Sequence, residues 1–110
     1  MAVVQTSATK AATPTSLDEV RRRLSAPWPG LAAAFHIKTL GLFGSYVRHE
    51  QTPQSDLDVL VEFDEPPSLF EFIRLENQLS DLLEVKVDLV MKDALKPSIG
   101  QRVLREVVPP

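Results

Sequence analysis

The sequence contains no cysteine, which excludes a disulfide framework and a thiolate metal site. It also has no apolar run close to the roughly 20 residues that a membrane-spanning helix needs. The N-terminus lacks the apolar stretch of a signal peptide, because the stretch from Ala2 to Val4 is too short and Lys10 follows it instead of preceding it. We therefore expect a cytoplasmic protein with no membrane partner.

An excess of positive charge is missing as well. The chain has 12 Lys and Arg residues against 15 Asp and Glu residues, which gives a formal net charge of −3 at pH 7. Proteins that bind DNA or RNA usually present a basic surface, so we expect no direct contact with nucleic acid. A length of 110 residues suits one small domain with a single core, so we expect no separate substrate-binding domain.

The beginning of the chain differs in composition from the rest. Residues 1–15 are rich in Ala, Thr and Ser and have no clear hydrophobic period. Such a segment buries too little apolar surface to offset the entropy lost on ordering. We predict a disordered tail at residues 1–15 and one ordered domain at residues 16–110.

Hydrophobic periodicity divides the ordered part into alternating helices and strands. The predicted helices are one that starts at Ser16 and stops before Pro27 and Pro29, a short stretch at 31–35, one or two turns at 45–50, a Ser68-capped helix reaching about Leu83, and a last helix with Pro97 at its first position. The predicted strands lie at residues 37–43, 56–63 and 85–91. This order predicts an α/β (α+β) fold with a small mixed β-sheet flanked by helices.

A Gly-Ser pair stands where the first predicted strand turns into helical structure. Gly44 lets the backbone approach a ligand closely, because it has no side chain. The first N–H groups of a helical segment have no internal partners and favour anions. The hydroxyl group of Ser45 adds a further donor, so this turn is a candidate phosphate site.

Two carboxylates follow on the second predicted strand. Asp56 and Asp58 are two residues apart, so both side chains leave the same face, with Cα atoms about 6.5–7 Å apart. Carboxylates at this spacing can share a divalent ion, and Mg²⁺ commonly combines one or two carboxylates with substrate phosphates. Two Asp residues without a function are unexpected in a strand, where Asp is disfavoured.

A third carboxylate is expected on a neighbouring strand. Asp88 is the acidic residue within the last predicted strand and lies opposite the apolar face of that strand. It is positioned to complete the metal site. We also advance the hypothesis that Asp88 is the general base for an acceptor hydroxyl group; a role as a solvated or ion-paired surface residue is the alternative.

The combination of these motifs resembles the nucleotidyltransferase superfamily of DNA polymerase β type, and within it the short stand-alone MNT or MntA-like domains. The resemblance covers about Leu17 to Val107. It implies the nucleotidyltransferase fold with a sheet of four or slightly more strands, two Mg²⁺ ions and an NTP donor, usually ATP. It also implies that Asp56, Asp58 and Asp88 are metal ligands and catalytic residues, and that Gly44, Ser45 and Arg48 bind the nucleotide.

The resemblance further implies a partner. Similar family members are antitoxins that transfer AMP to a tyrosine of a HEPN-domain toxin, which is an RNase. The sequence departs from the family at His49, where relatives usually have Gly directly after the Arg. That position suits a left-handed residue, which His adopts at some cost in strain.

Three functions remain open at this point. The first is AMP transfer to a partner protein, and the second is a non-catalytic module that neutralises a toxin by covering it. The third is nucleotidyl transfer to a small molecule, which usually needs a longer chain. The apolar pairs at 103–104 and 107–108 are candidate contacts for a partner or for a homo-oligomer.

Overall fold

The computed structural model describes residues 13–110. Five helical segments and three strands follow one another along this part of the chain. They are α1 (Leu17–Ser25), α2 (Trp28–Ala34), β1 (Ile37–Phe43), β2 (Leu57–Phe63), α3 (Leu69–Leu83), β3 (Val87–Met91), a short 3₁₀ helix (Lys92–Ala94) and α4 (Pro97–Glu106).

The sheet has the order β1-β2-β3 and is mixed, as the sequence predicts. Strands β1 and β2 pair antiparallel, whereas β2 and β3 pair parallel and are connected through α3. The resemblance implied at least four strands, but the sheet in residues 13–110 has three. At the free edge of β1, Leu42 forms a single bridge with Val108, and the following Pro109 and Pro110 have no N–H groups to extend it.

The inner face of the sheet packs against α1 and α3. Alternate residues of β2 point to this side, and Leu57, Val59 and Val61 expose at most 1% of their surface. Both helices contribute almost fully buried side chains to this core. They are Val20 and Leu24 of α1 and Leu75, Leu79 and Leu83 of α3. This burial is the main stabilising contribution to the fold.

Local signals fix the helix ends. Ser16 accepts a hydrogen bond from the N–H of Glu19, and Ser68 forms a complete capping box with Glu71. Each of these caps was predicted from the sequence. Pro27 and Pro29 do separate the first two helices, but they also start the second, because Pro27 is its N-cap and Pro29 lies in its first turn.

Some predicted boundaries are wrong by one or two residues. Strand β2 starts at Leu57 instead of residue 56, and β3 starts at Val87 instead of residue 85. The reason is that the parallel ladder begins with the Leu57–Val87 pair, so the residues before it have no strand partner. Residues 45–49 form hydrogen-bonded turns and no regular helix.

The beginning of the described chain is attached to the domain. The hydroxyl group of Tyr46, which is fully buried, donates to the Pro14 carbonyl oxygen at 3.0 Å, and the side-chain amide of Gln51 donates to the Thr15 carbonyl oxygen at 2.6 Å. Residues 1–12 of the predicted tail lie outside the described residues.

Among the helices of residues 13–110, none has the length and apolar character that a bilayer span requires.

Candidate active site

The site is built around the turn that follows β1. Gly44 has a φ of 84°, a left-handed conformation that side chains rarely tolerate. The N–H groups of Val47 and Arg48 donate to the Gly44 carbonyl oxygen at 3.0 and 3.1 Å. The chain therefore turns sharply at the end of β1. The sequence predicted a turn at this position and identified it as a candidate phosphate site.

Asp58 lies directly against this turn. A Cβ atom added to Gly44 would overlap the carboxylate of Asp58, since it would lie 2.8 Å from the Cγ atom. Two features therefore require glycine at position 44: the left-handed backbone conformation and the close approach of the Asp58 carboxylate. The Gly-Ser turn and the Asp-x-Asp strand are in contact, although twelve residues lie between Gly44 and Leu57 at the start of β2.

The other two predicted carboxylates lie near Asp58. Asp88 is its direct partner in the parallel ladder, so both side chains leave the same face of the sheet on neighbouring strands. Asp56 is exposed and immediately precedes β2. Both residues act on Asp58 through their charge. The structure therefore places Asp58 and Asp88 on one face of the sheet, with Asp56 near enough to act on Asp58 through its charge.

The electrostatics of this cluster are unfavourable without a cation. Desolvation by burial, then the negative charges of Asp88 and Asp56, raise the pKa of Asp58 to about 6 from its ordinary value of 3.8. The positive charge of Arg48 opposes this rise, and the negative charge of Glu106 adds to it. At neutral pH the cluster therefore carries negative charge that the neighbouring protein groups do not neutralise.

The chemistry of this donor set fits a magnesium ion that is bound together with a nucleotide. Carboxylate oxygens are hard ligands, and Mg²⁺ takes the rest of its six ligands from water and substrate phosphates. Within residues 13–110 no three acidic or histidine side chains converge tightly enough to form a complete metal site from protein atoms. The residues present match a site that a nucleotide helps to complete.

Arg48 projects from the turn toward a carboxylate of the last helix. Its guanidinium group donates to Glu50 at 2.9 Å and to Glu106 at 2.8 Å, and these hydrogen bonds raise the pKa of Arg48. The second carboxylate oxygen of Glu106 accepts the backbone N–H of Gly44 at 2.7 Å. Glu106 therefore bridges Gly44 and Arg48, two of the residues that the sequence assigned to nucleotide binding.

Ser45, the third of these residues, is placed differently. Its side chain is half-buried, and within the described chain its hydroxyl group forms no hydrogen bond. Its carbonyl oxygen accepts the N–H of Glu50 at 2.8 Å, which closes the turn. The hydroxyl group is thus available to a ligand, in contrast to the N–H of Gly44.

Open space adjoins the turn. A cavity of about 320 Å³ lies between β1 and α4, and its lining includes Gly44, Arg48, Asp58, Ile99, Arg102 and Glu106. A larger groove of about 900 Å³ lies beside the C-terminal half of α3, lined by Asn77, Ser80, Asp81, Glu84 and Lys86 among others. The smaller cavity is the better candidate because its lining joins the Gly44 turn to Asp58, two parts of the sequence motif.

Sequence reasoning missed the contribution of α4 to the site. Glu106, Arg102 and Ile99 face the cavity, yet the predicted last helix was considered only for its apolar residues. Glu106 lies far from Gly44 in the sequence, and no short-range pattern signals their contact. The only sequence signal is the amphipathic pattern of the helix, which says that one side faces the sheet but not which residue reaches the turn.

The whole arrangement corresponds to a known family. Residues 17–108 match the nucleotidyltransferase domain family. The chain belongs to the nucleotidyltransferase family. It is 50% identical over 93 residues to the protein adenylyltransferase MntA of Thermococcus cleftensis. The matched stretch covers 84% of this chain and 94% of that protein. The chain is therefore an enzyme of the MNT type by family, as the sequence motif predicted.

Solved structures share its fold. A provisionally named minimal nucleotidyltransferase is similar with a TM-score of 0.75 and 38% identity, over 86% of this chain and 96% of that one. A chain in the complex of a tri-AMPylated HEPN toxin of Shewanella oneidensis with an MNT antitoxin is similar with a TM-score of 0.61 and 20% identity, over 82% of this chain and 70% of that one. The second likeness concerns the fold alone, and together they confirm the predicted nucleotidyltransferase fold.

Proposed function

We propose that this nucleotidyltransferase transfers AMP from ATP to a hydroxyl group of a partner protein, and that Asp56, Asp58 and Asp88 hold Mg²⁺ at the reacting phosphate. The observation that carries the proposal is the contact of Asp58 with Gly44, which puts the acidic cluster at the edge of the candidate phosphate site. The pKa of about 6 for Asp58 supports it, since a divalent cation would offset both the desolvation of this carboxylate and the repulsion by Asp88 and Asp56.

The reaction is a displacement at the α-phosphorus of ATP. The oxygen of the acceptor hydroxyl forms a bond to this phosphorus, the bond from the α-phosphorus to the bridging oxygen breaks, and pyrophosphate leaves. The hydroxyl proton passes to the carboxylate of Asp88, which is exposed and accessible to an incoming acceptor. When bound, two Mg²⁺ ions would neutralise phosphate charge and orient the attacking and leaving oxygens.

The phosphates have three donors at the turn. Within residues 13–110 the Ser45 hydroxyl group has no hydrogen-bond partner, the Gly44 backbone can approach closely because a side chain is absent, and Arg48 supplies a positive charge. Arginine suits this role because its planar group donates in a fork to phosphate oxygens. Ile99 and Arg102 extend the cavity away from the turn and could contact the rest of the nucleotide.

The acceptor is a tyrosine of a HEPN toxin, which makes this protein an antitoxin. This part of the proposal rests on the sequence resemblance to MNT antitoxins and on the name of the relative from Thermococcus cleftensis, a protein adenylyltransferase. The acidic cluster lies at an open edge of the domain, where two of its three carboxylates are exposed. A large acceptor can therefore reach the cluster without a separate domain of this chain.

A second function is favoured by one observation. Glu106 already accepts hydrogen bonds from Gly44 and Arg48, so two donors of the candidate phosphate site are occupied by the protein itself. This occupancy is compatible with a non-catalytic antitoxin, which would silence the toxin by forming a stable complex.

Intact-mass measurement separates the two functions. The protein is incubated with Mg²⁺, ATP and a candidate HEPN partner protein, and the partner is then weighed. We expect the partner to gain one or more AMP units with the wild-type chain and none with Asp58→Asn or Asp88→Asn. Glu62→Gln is the matched control, because Glu62 lies further along the outer face of β2 and contacts Thr39 and Lys92 instead of the site.

Three outcomes would contradict parts of the proposal. A stable complex without a gain in mass would support the non-catalytic function. Full transfer by Asp88→Asn would refute the base assignment, and full transfer by Asp58→Asn would refute the metal site.

A further inference from the structure

We propose that Glu106 is an internal competitor of the nucleotide: its carboxylate occupies the phosphate position at Gly44 and must rotate away when ATP binds. This inference rests on the proposed function, because it assumes that phosphates bind at the Gly44 turn. It adds a residue of the last helix, and a threshold for nucleotide binding, to a site that is otherwise built from the turn and the two acidic strands.

The geometry of the contact is that of a bound anion. The two oxygens of Glu106 accept two donors, the N–H of Gly44 at 2.7 Å and the guanidinium group of Arg48 at 2.8 Å. A phosphate oxygen accepts the same kinds of donor, at the same charge-assisted distances. Since one N–H has one proton to donate, Glu106 and a phosphate cannot both hold Gly44 fully. The carboxylate thus stands where the proposed function needs a phosphate oxygen.

The electrostatics favour exchange once a nucleotide and its cation are present. The carboxylates of Glu106 and Asp58 line the same cavity, so their negative charges repel each other across it. Arg48 is the positive charge that holds Glu106 in place and also the charge that a phosphate would attract. A phosphate accompanied by a cation satisfies Arg48 and relieves Asp58 at once, which Glu106 cannot do.

The exchange needs little movement of the backbone. On one side of Glu106, the N–H of Val107 donates to Val103 in the last turn of α4 at 2.8 Å. On the other side, Val108 exchanges hydrogen bonds with Leu42 at 2.8 and 2.9 Å. Because the main chain is anchored on both sides, only the glutamate side chain has to turn. About 22% of that side chain is exposed, and it borders the open cavity, so it has a route to solvent.

Such a competitor lowers the apparent affinity by the fraction of molecules in which the site is open. The test is the affinity for Mg-ATP, measured by calorimetry on the whole chain without any partner. Glu106→Gln keeps the size of the side chain and removes its charge. The matched control is Glu50→Gln, because Glu50 pairs with the same Arg48 but has no contact with Gly44. Thermal unfolding of both variants shows whether each remains folded.

We expect Glu106→Gln to bind Mg-ATP about ten-fold more tightly than the wild type, on the scale of one hydrogen bond to a charged group, and Glu50→Gln to change the affinity less than about two-fold. Unchanged or weaker binding by folded Glu106→Gln would overturn the inference, since Glu106 would then only support the turn. An equal gain in both variants would also overturn it, because the effect would come from releasing Arg48 alone.

A measurement on the wild type keeps the inference testable if Glu106→Gln does not fold. Hydrogen bonds from Arg48 and Gly44 hold the pKa of Glu106 below its ordinary value, although burial opposes them. Carbon-13 NMR of the glutamate carboxyl groups should show this pKa rising when Mg-ATP saturates the site. An unchanged low pKa would contradict the displacement.

The result also separates this inference from the proposed function. If the wild type transfers AMP and Glu106→Gln binds Mg-ATP no better, only the inference fails. If no variant binds Mg-ATP, both fail.

Discussion

The two faces of strand β2 have opposite physical characters. On the inner face, Leu57, Val59 and Val61 are almost completely buried against α1 and α3. On the outer face, Asp58 carries a pKa raised to about 6 by burial and by the charges of Asp88 and Asp56. The comparison indicates that the inner face stabilises the fold, whereas the outer face costs stability in the absence of a cation and supplies the chemistry.

The helices on the two sides show the same contrast. Helix α3 buries Leu75, Leu79 and Leu83 on the inner side. Helix α4 buries only Gly100 and Val103, and leaves Ile99 and Leu104 about half exposed. A lightly packed helix opens at a lower free energy than a core helix does. The cover of the site is therefore the part of the domain best able to rearrange around a ligand.

The largest expected effect comes from a substitution on the outer face of β2. Asp58→Asn should lower the rate of AMP transfer by at least about 10³-fold, because the variant loses a metal ligand beside the phosphate site. The measurement is the rate of transfer to the partner at saturating ATP. The control is Glu62→Gln on the same face, which should retain its rate. A loss of less than ten-fold in Asp58→Asn would contradict the role of this carboxylate.

The second effect comes from a substitution in the core that packs on the inner face. Leu79→Ala should lower the free energy of unfolding by about 3 kcal/mol, because it leaves a cavity in the core beneath the sheet. Urea unfolding measures this change. Leu104→Ala in α4 is the matched control and should cost well under about 1 kcal/mol, since that side chain is 48% exposed. Equal losses in the two variants would remove the contrast between the helices.

The third effect joins stability to function at one residue. Asp58→Asn should stabilise the metal-free chain by about 1 kcal/mol at pH 8, which is the energy of the pKa shift after a discount for the exposed part of the group. Because the folded-state pKa is raised, the wild type regains this stability as the pH falls through about 6, and the difference should vanish below about pH 4.

Thermal unfolding of both chains between pH 4 and pH 8 measures the difference. Addition of Mg²⁺ with ATP should reverse its sign at pH 8, because only the wild type retains the full site. A variant that is less stable than the metal-free wild type at pH 8 would contradict the electrostatic account of the outer face.

The smallest effect concerns the turn itself. His49 has a φ of 60°, so the left-handed position predicted from the family pattern is confirmed. His49→Gly should raise the free energy of unfolding by about 0.5 kcal/mol, because it removes this strain. Glu84→Gly is a control outside the cavity at the turn, since Glu84 is also left-handed, with φ 58°, at the end of α3. A destabilised His49→Gly, measured by urea unfolding beside the control, would show that the imidazole makes a stabilising contribution.

Most of the scaffold could be predicted from the sequence because its signals are local. The alternation of β2 assigns Asp58 and its buried neighbours to opposite faces, and the caps at Ser16 and Ser68 mark helix starts. The site was predictable as far as its motif extends along the chain. The hydrogen bond from Gly44 to Glu106 could not be predicted, because it depends on how α4 docks on β1, where Gly41 leaves room for Val107. Such docking is a property of packing and has no short-range signature.

The central claim is that the outer carboxylates and the Gly44 turn form one site for a metal and a nucleotide. Addition of Mn²⁺ with ATP to the isotope-labelled chain tests it most directly, because the ion broadens the amide signals closest to it. The account predicts that the signals of Gly44, Ser45, Asp56, Asp58 and Asp88 broaden first and that Asp58→Asn abolishes this response. Broadening that begins instead at the groove beside Asn77, Asp81 and Glu84 would contradict the account.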